Sequence, residues 1–151
     1  MRSTPPRAQR GVTLIEACVV LAVVAIVAGS AAPAMQGLID ARRLEGAATQ
    51  LATDIQFIRS EAVARNEPLR LSLHDTAAGS CYVIHTGDAG QCDCAAPGLA
   101  QCSGAAQQIK TARLQAAERV RLQANVGSVL FDPLHGTSTP SGTLRVIGTN
   151  G

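Results

Sequence analysis

Two hydrophobic regimes divide this chain. From Val12 to Ala34 apolar residues run on with a single charged interruption, Glu16, and Ala17–Ala34 carries no charge at all. A run with no polar face predicts a helix surrounded by lipid or by other apolar helices. Further on, the apolar positions thin to a stripe. Leu44, Ala48, Leu51, Ile55, Ile58 and Ala62 recur at steps of four and three, the spacing of one helix face. Asp40, Arg42, Arg43, Asp54, Arg59 and Arg65 are expected mostly on the solvated side. One helix is therefore expected from Thr13 to about Arg65, loosened at Gly29, Pro33 and Gly37. Asn66-Glu67-Pro68 ends it, because a residue before proline disfavours the α region.

After Pro68 the period drops to two. Leu69, Leu71 and Leu73 alternate with Arg70, Ser72 and His74, and a turn at Thr76–Ser80 leads to a second short strand, Cys81–His85. Residues 86–106, rich in Gly, Ala and Cys, read as a loop, and Arg113–Glu118 as a helical turn. Val120, Leu122, Ala124 and Val126 alternate again. Ser128–Phe131 and Thr143–Ile147 read as strands joined by the turn-dense Pro133–Gly142. The expected class is α+β: a long N-terminal helix, half transmembrane and half amphipathic, packed on an antiparallel β-sheet.

The 151 residues suffice for one modest domain plus an anchor. With no Trp, one Tyr and two Phe, the core must be built from Leu, Val, Ile and Ala, and crosslinks or assembly contacts would help it. The formal charge is +2. Arg2, Arg7 and Arg10 all precede Gly11; without them ten basic residues face eleven acidic ones, a sum of −1. That leaves no broad basic footprint for nucleic acid. The three arginines favour a cytoplasmic N-terminus by the positive-inside tendency, which Arg42 and Arg43 beyond the run weaken.

Glu16 is the anomaly. A charge inside a membrane segment costs about 2.5–3.5 kcal/mol on insertion scales, so a plain anchor would have an apolar residue there. An ordinary secretory signal also has a basic start and an apolar run. It leaves Glu16 unexplained, and a proline is unhelpful in its small-residue cleavage site.

Gly11-Val12-Thr13-Leu14-Ile15-Glu16 resembles the processing site of type IV prepilins and type II secretion pseudopilins, with Val12 where Phe is usual. The resemblance implies a cut between Gly11 and Val12 by a prepilin peptidase, which also methylates the amine of Val12. It implies that Glu16 neutralises the terminal amine of a neighbouring subunit during assembly, and that Pro33 kinks the helix. Leu51–Arg65, Val129-Leu130-Phe131-Asp132-Pro133, Gly136 and the stretch Thr139–Thr143 are similar to the GspH/FimT family of minor pseudopilins. The domains implied are a leader, residues 1–11; a transmembrane and assembly helix, 12–35; and a periplasmic α+β domain, 36–151.

The same resemblance implies a single-pass inner-membrane protein with its N-terminus in the cytoplasm and its domain in the periplasm. It would be a structural subunit of a filament rather than an enzyme, with no cofactor. Its partners would be the prepilin peptidase, other pilins or pseudopilins, and the membrane. The filament serves type II secretion or type IV pilus biogenesis; the FimT likeness and the cysteine-rich loop lean to the second. Family members typically continue with one more strand and a basic tail, so a truncated C-terminus is expected. The Gly-Arg-x-Arg tail motif of DNA-binding members is not in this sequence, so no residue here inherits nucleic-acid binding. The alternatives are a membrane-tethered binding module or a DNA-uptake pilin.

Cys18, within the apolar run, reads as a small packing residue. Cys81, Cys92, Cys94 and Cys102 cluster in or beside the loop. In an oxidising periplasm they are candidate disulfides, with three full connectivities. A Cys92–Cys94 bridge would be strained, which favours pairings to Cys81 and Cys102. Zinc held by Cys92, Cys94, Cys102 and a histidine is the alternative, without the paired spacing of zinc sites. His74, His85 and His135 are isolated, and no hydrolase or metalloprotease motif accompanies them.

Overall fold

The computed structural model describes residues 13–94 and 100–149, the side chains of 31–34 excepted. The chain divides into two compact units, residues 1–38 and 39–151. One helix, α1 (Leu14–Arg65), runs through both. It ends where the sequence expects. Asn66 adopts the left-handed conformation at φ 50°. Its N–H bonds to the carbonyl of Val63, and the N–H of Glu67 to that of Ala62, both at 3.2 Å. This pair of bonds satisfies the last-turn carbonyls, and Pro68 prevents any continuation.

In the second unit nine strands follow among the described residues: β1 (Leu69–Thr76), β2 (Gly79–His85), β3 (Cys92–Asp93), β4 (Gln101–Cys102), β5 (Gln108–Gln115), β6 (Val120–Ala124), β7 (Ser128–Phe131), β8 (Ser138–Thr139) and β9 (Leu144–Gly148). The main sheet has the order β5-β2-β1-β7-β8, and β3–β4 and β6–β9 form separate two-stranded ribbons. Every pairing is antiparallel. The α+β class is as expected, but two local readings are corrected. Residues 108–115 form an edge strand paired with β2; the helical turn is confined to Ala116–Glu118. Pairing against β2 outweighs the helix preference of an Ala-, Leu- and Gln-rich stretch. Residues 86–106 contain the β3–β4 ribbon, in which Cys92 faces Cys102 directly.

One sheet face takes the helix. Leu69, Leu71, Tyr82, Ile84, Ala112, Leu114, Val129 and Phe131 meet Leu51, Ile58 and Ala62. The β6–β9 ribbon adds Val120 and Leu122 to this core, with Leu144 and Val146 packed against it. Beside Ala47 and Tyr82 lies a small cavity of about 20 Å³. The helical stripe runs through Ala47, which packs on this core; Ala48 is exposed.

Asp54 corrects the sequence reading most clearly. It was expected in solvent, yet it is 1% exposed. It stands three residues after Leu51 and four before Ile58, so helix geometry turns it onto the sheet. Its carboxylate accepts the Tyr82 hydroxyl at 2.8 Å and the Lys110 ammonium at 2.6 Å. That ammonium also lies 5.9 Å from the Phe57 ring centre. Burial, then the bond to Asp54, pushes the Tyr82 phenol above its usual range. Replacing Asp54 by Ala strands a buried hydroxyl and removes a charge-assisted bond, and is expected to cost about 2–3 kcal/mol in a denaturant melt. A loss below about 0.5 kcal/mol, the scale of an ordinary surface change, would contradict this account.

Candidate assembly site

The site begins at the helix mouth. Thr13 precedes the first helical residue and accepts the Glu16 N–H on its hydroxyl at 3.4 Å, while its carbonyl takes the Ala17 N–H at 3.1 Å. Thr13 is therefore the N-cap, and Glu16 falls at the third helical position. Thr-x-x-Glu is a start signal in its own right; the sequence reading explained Glu16 by its charge and missed the cap. The first-turn amides carry partial positive charge, so a carboxylate is favoured there even without a partner. Glu16 is exposed.

Beyond it the apolar side chains have no cover. Leu14 is 84% exposed, Ile15 73%, Leu21 68% and Ile26 73%. The most apolar 18-residue window of the helix has a mean hydropathy of 2.5, and none of it is buried. A soluble surface does not tolerate such a stretch unless lipid or another protein covers it. Gly11 and Val12 lie outside the described residues, and so does the Pro33 side chain, where the kink was expected.

The four loop cysteines are brought together in the second unit as two disulfides, Cys81–Cys94 and Cys92–Cys102. With Val83 they form a second small core on the sheet face away from the helix. This occupies every thiol that the zinc alternative requires. Cys18 is free and exposed.

The histidines divide by environment. His135 is exposed on the β7–β8 turn. His74 lies 3.5 Å from Asp93. His85 is fully buried: its Nδ1 lies 2.8 Å from the Thr86 carbonyl and its Nε2 2.8 Å from the Ser72 hydroxyl. A carbonyl only accepts, so Nδ1 carries the proton and Nε2 accepts from Ser72. Burial lowers the His85 pKa. The Thr86 bond opposes that shift, and the positive charge of Arg70 and of His74 when protonated adds to it. The folded state therefore resists a proton that the unfolded chain accepts below its ordinary value of 6.5. Stability is fully present above that value and declines as the pH falls through it toward the lower folded value. Melting temperature is expected to drop between about pH 7.5 and about pH 5, with a flatter profile in His85→Gln. An unchanged slope in the variant would place the titration elsewhere.

An apolar N-terminal helix that runs on into an antiparallel α+β unit is the architecture of pilin-like subunits. The family model described as type II transport protein GspH matches residues 47–151, and the prokaryotic N-terminal methylation motif matches residues 6–32. The chain belongs to the GspH family and is a type IV pilin-like pseudopilin. No curated protein and no solved structure matches it.

Proposed function

We propose that this chain is a minor pseudopilin, made in the inner membrane, cut between Gly11 and Val12, methylated at Val12 and built into a short periplasmic filament. The observation that carries the proposal is the uncovered apolar helix with one capped carboxylate at its mouth. Lipid covers that helix before assembly, and neighbouring subunits cover it afterwards. Glu16 then pairs with the terminal amine of an adjacent subunit. The work of the chain is assembly and transmission of force rather than chemistry. Its membrane topology follows: cytoplasmic leader 1–11, spanning helix 12–35 and periplasmic domain 36–151. The domain's two disulfides suit an oxidising compartment. The family description favours the type II secretion pseudopilus over a type IV pilus.

The test is a strain lacking this chain, complemented with the wild type or with Glu16→Val, and assayed for exported proteins, surface pili and co-purification with other pilins. The variant is expected to insert and to be processed, but to co-purify about tenfold less, since an unpaired apolar residue cannot recover the ion-pair energy available to a buried carboxylate. Normal co-purification would overturn the role of Glu16. An intact leader by mass spectrometry would favour a simple membrane-tethered module. Loss of pili with normal export would move the chain to pilus assembly.

A further inference from the structure

The charge-free stretch after Glu16 runs from Ala17 to Ile39, twenty-three residues. At 1.5 Å per residue it spans about 35 Å, against about 30 Å of bilayer hydrocarbon. Asp40 follows it directly. Consecutive Cα atoms are about 3.8 Å apart, so Asp40 and whatever is tied to it stay within headgroup reach whatever the tilt of the domain. Arg119 is tied to it: the guanidinium lies 3.3 Å from the Asp40 carboxylate. It follows the Ala116–Glu118 turn, whose first N–H bonds to the Ala78 carbonyl at 3.0 Å. The tip of the β1–β2 hairpin and the end of β5 thus gather around Asp40, and Ala77, Ala78, Ala116 and Ala117 are all exposed.

The charges here balance, with Arg42, Arg43, Arg119 and Arg121 against Asp40, Glu45, Asp75 and Glu118, but they are not all paired with one another. Arg42 pairs with Glu45 and Arg121 with Asp75. The Glu118 carboxylate accepts the Gln115 N–H at 3.3 Å. Asp40 serves Arg119, and Arg43 stands three residues further along the same helix, adjacent on its surface. Among the described residues Arg43 has no acid partner. Arg119, bonded to Asp40, and Arg43, one helical turn beyond it, each carry a guanidinium fork, which matches phosphate oxygens.

We infer that Arg43 and Arg119 form a docking surface for phospholipid phosphate groups, setting the Ala116–Arg119 turn and the Ala77–Ala78 hairpin tip on the outer headgroups of the membrane. The inference rests on the membrane reading above and adds to it a contact made by the sheet-bearing unit itself. Such a contact would hold the domain in one orientation while the subunit waits in the bilayer, and would be given up on entry into a filament.

The test uses the full chain in vesicles of phosphatidylethanolamine and phosphatidylglycerol doped with a nickel-chelating headgroup lipid. Spin labels are placed one at a time: on native Cys18; on Ala117→Cys; and on Leu134→Cys, the last two in a Cys18→Ala background. Leu134 sits past β7, at the end of the sheet where Leu69 faces Phe131, away from the hairpin tip. The expected result is several-fold stronger nickel relaxation at position 117 than at 134, with Cys18 inside the lipid. Each of Arg43→Gln and Arg119→Gln is expected to reduce phosphatidylglycerol retention in native mass spectrometry by about fivefold. Equal relaxation at 117 and 134 with Cys18 in lipid would overturn this inference and leave the membrane reading standing. Cys18 outside the lipid would overturn both. Unchanged lipid retention in the two glutamine variants would remove the arginines from the contact.

Discussion

With both disulfides removed, the sheet-bearing unit is expected to lose about 5 kcal/mol and to be largely unfolded at growth temperature. Cys81–Cys94 and Cys92–Cys102 close segments separated by 13 and 10 residues. Loop-closure entropy assigns each about 3 kcal/mol, and the overlap of the two loops makes the sum less than additive. The loss is large here because the rest of the fold has little surplus. The core contains no Trp and one Tyr, and β3 and β4 are only two residues each, too short to hold together by backbone pairing alone. The second small core, around Val83, consists largely of the disulfides themselves. Paired variants, Cys81→Ala with Cys94→Ala and Cys92→Ala with Cys102→Ala, avoid mispairing of leftover thiols. Circular-dichroism melts of these, and of the wild type with and without reductant, give the result directly. A reduced protein that melts within a degree or two of the oxidised one would show that the main sheet carries the fold unaided.

Gly79→Val is expected to be nearly as severe, at about 3–5 kcal/mol. Gly79 closes the β1–β2 hairpin at φ 140°, a conformation that costs a side-chain-bearing residue about 1–3 kcal/mol. A Cβ there would lie 2.2 Å from the Leu114 carbonyl oxygen, 3.0 Å from the Ala116 nitrogen and 3.1 Å from the Gln115 Cα. All three are backbone atoms of the neighbouring strand and its turn, so no rotamer change relieves the clash. Relief requires β5 to part from β2, at an overpacking cost of about 1–3 kcal/mol more. The control is Gly46, in the middle of α1 with nothing within 4 Å of its would-be Cβ. There Gly→Ala should stabilise by about 0.5–1 kcal/mol. Chemical denaturation of the two variants should therefore move in opposite directions. A Gly79→Val midpoint equal to the wild type would show that the hairpin can be rebuilt without glycine.

The long helix, β1, β2, β7 and β9 were legible because their apolar residues repeat with the period of the element and nothing local contradicts it. β5 was not. Its alternation of Lys110, Ala112 and Leu114 toward the core against Thr111 and Arg113 is present in the sequence, but adjacent helix-forming residues mask it. Only the partner strand decides the matter. Asp54 was misread for a related reason. Its spacing from Leu51 and Ile58 placed it in the stripe, its charge argued for solvent, and the spacing prevailed once Lys110 and Tyr82 supplied partners. Nothing local ties residue 54 to residues 82 and 110. The cysteine pairing was open for the same reason, since three connectivities share one sequence. At the assembly site Glu16 was conspicuous, whereas the hydroxyl of Thr13 that caps the helix beneath it was legible in the Thr-x-x-Glu spacing and passed over.

Tyr82 has one more consequence. The chain has no tryptophan and no second tyrosine, so ultraviolet-excited emission comes essentially from a single phenol. That phenol is buried and bonded to Asp54, where helix and sheet meet. The natural protein therefore contains its own optical gauge of that junction. Pulling the helix from the sheet frees the hydroxyl from the carboxylate and changes the emission, whereas fraying of the N-terminal segment leaves it unaltered. A bench spectrometer can then separate undocking of the helix from fraying of that segment, without adding a dye.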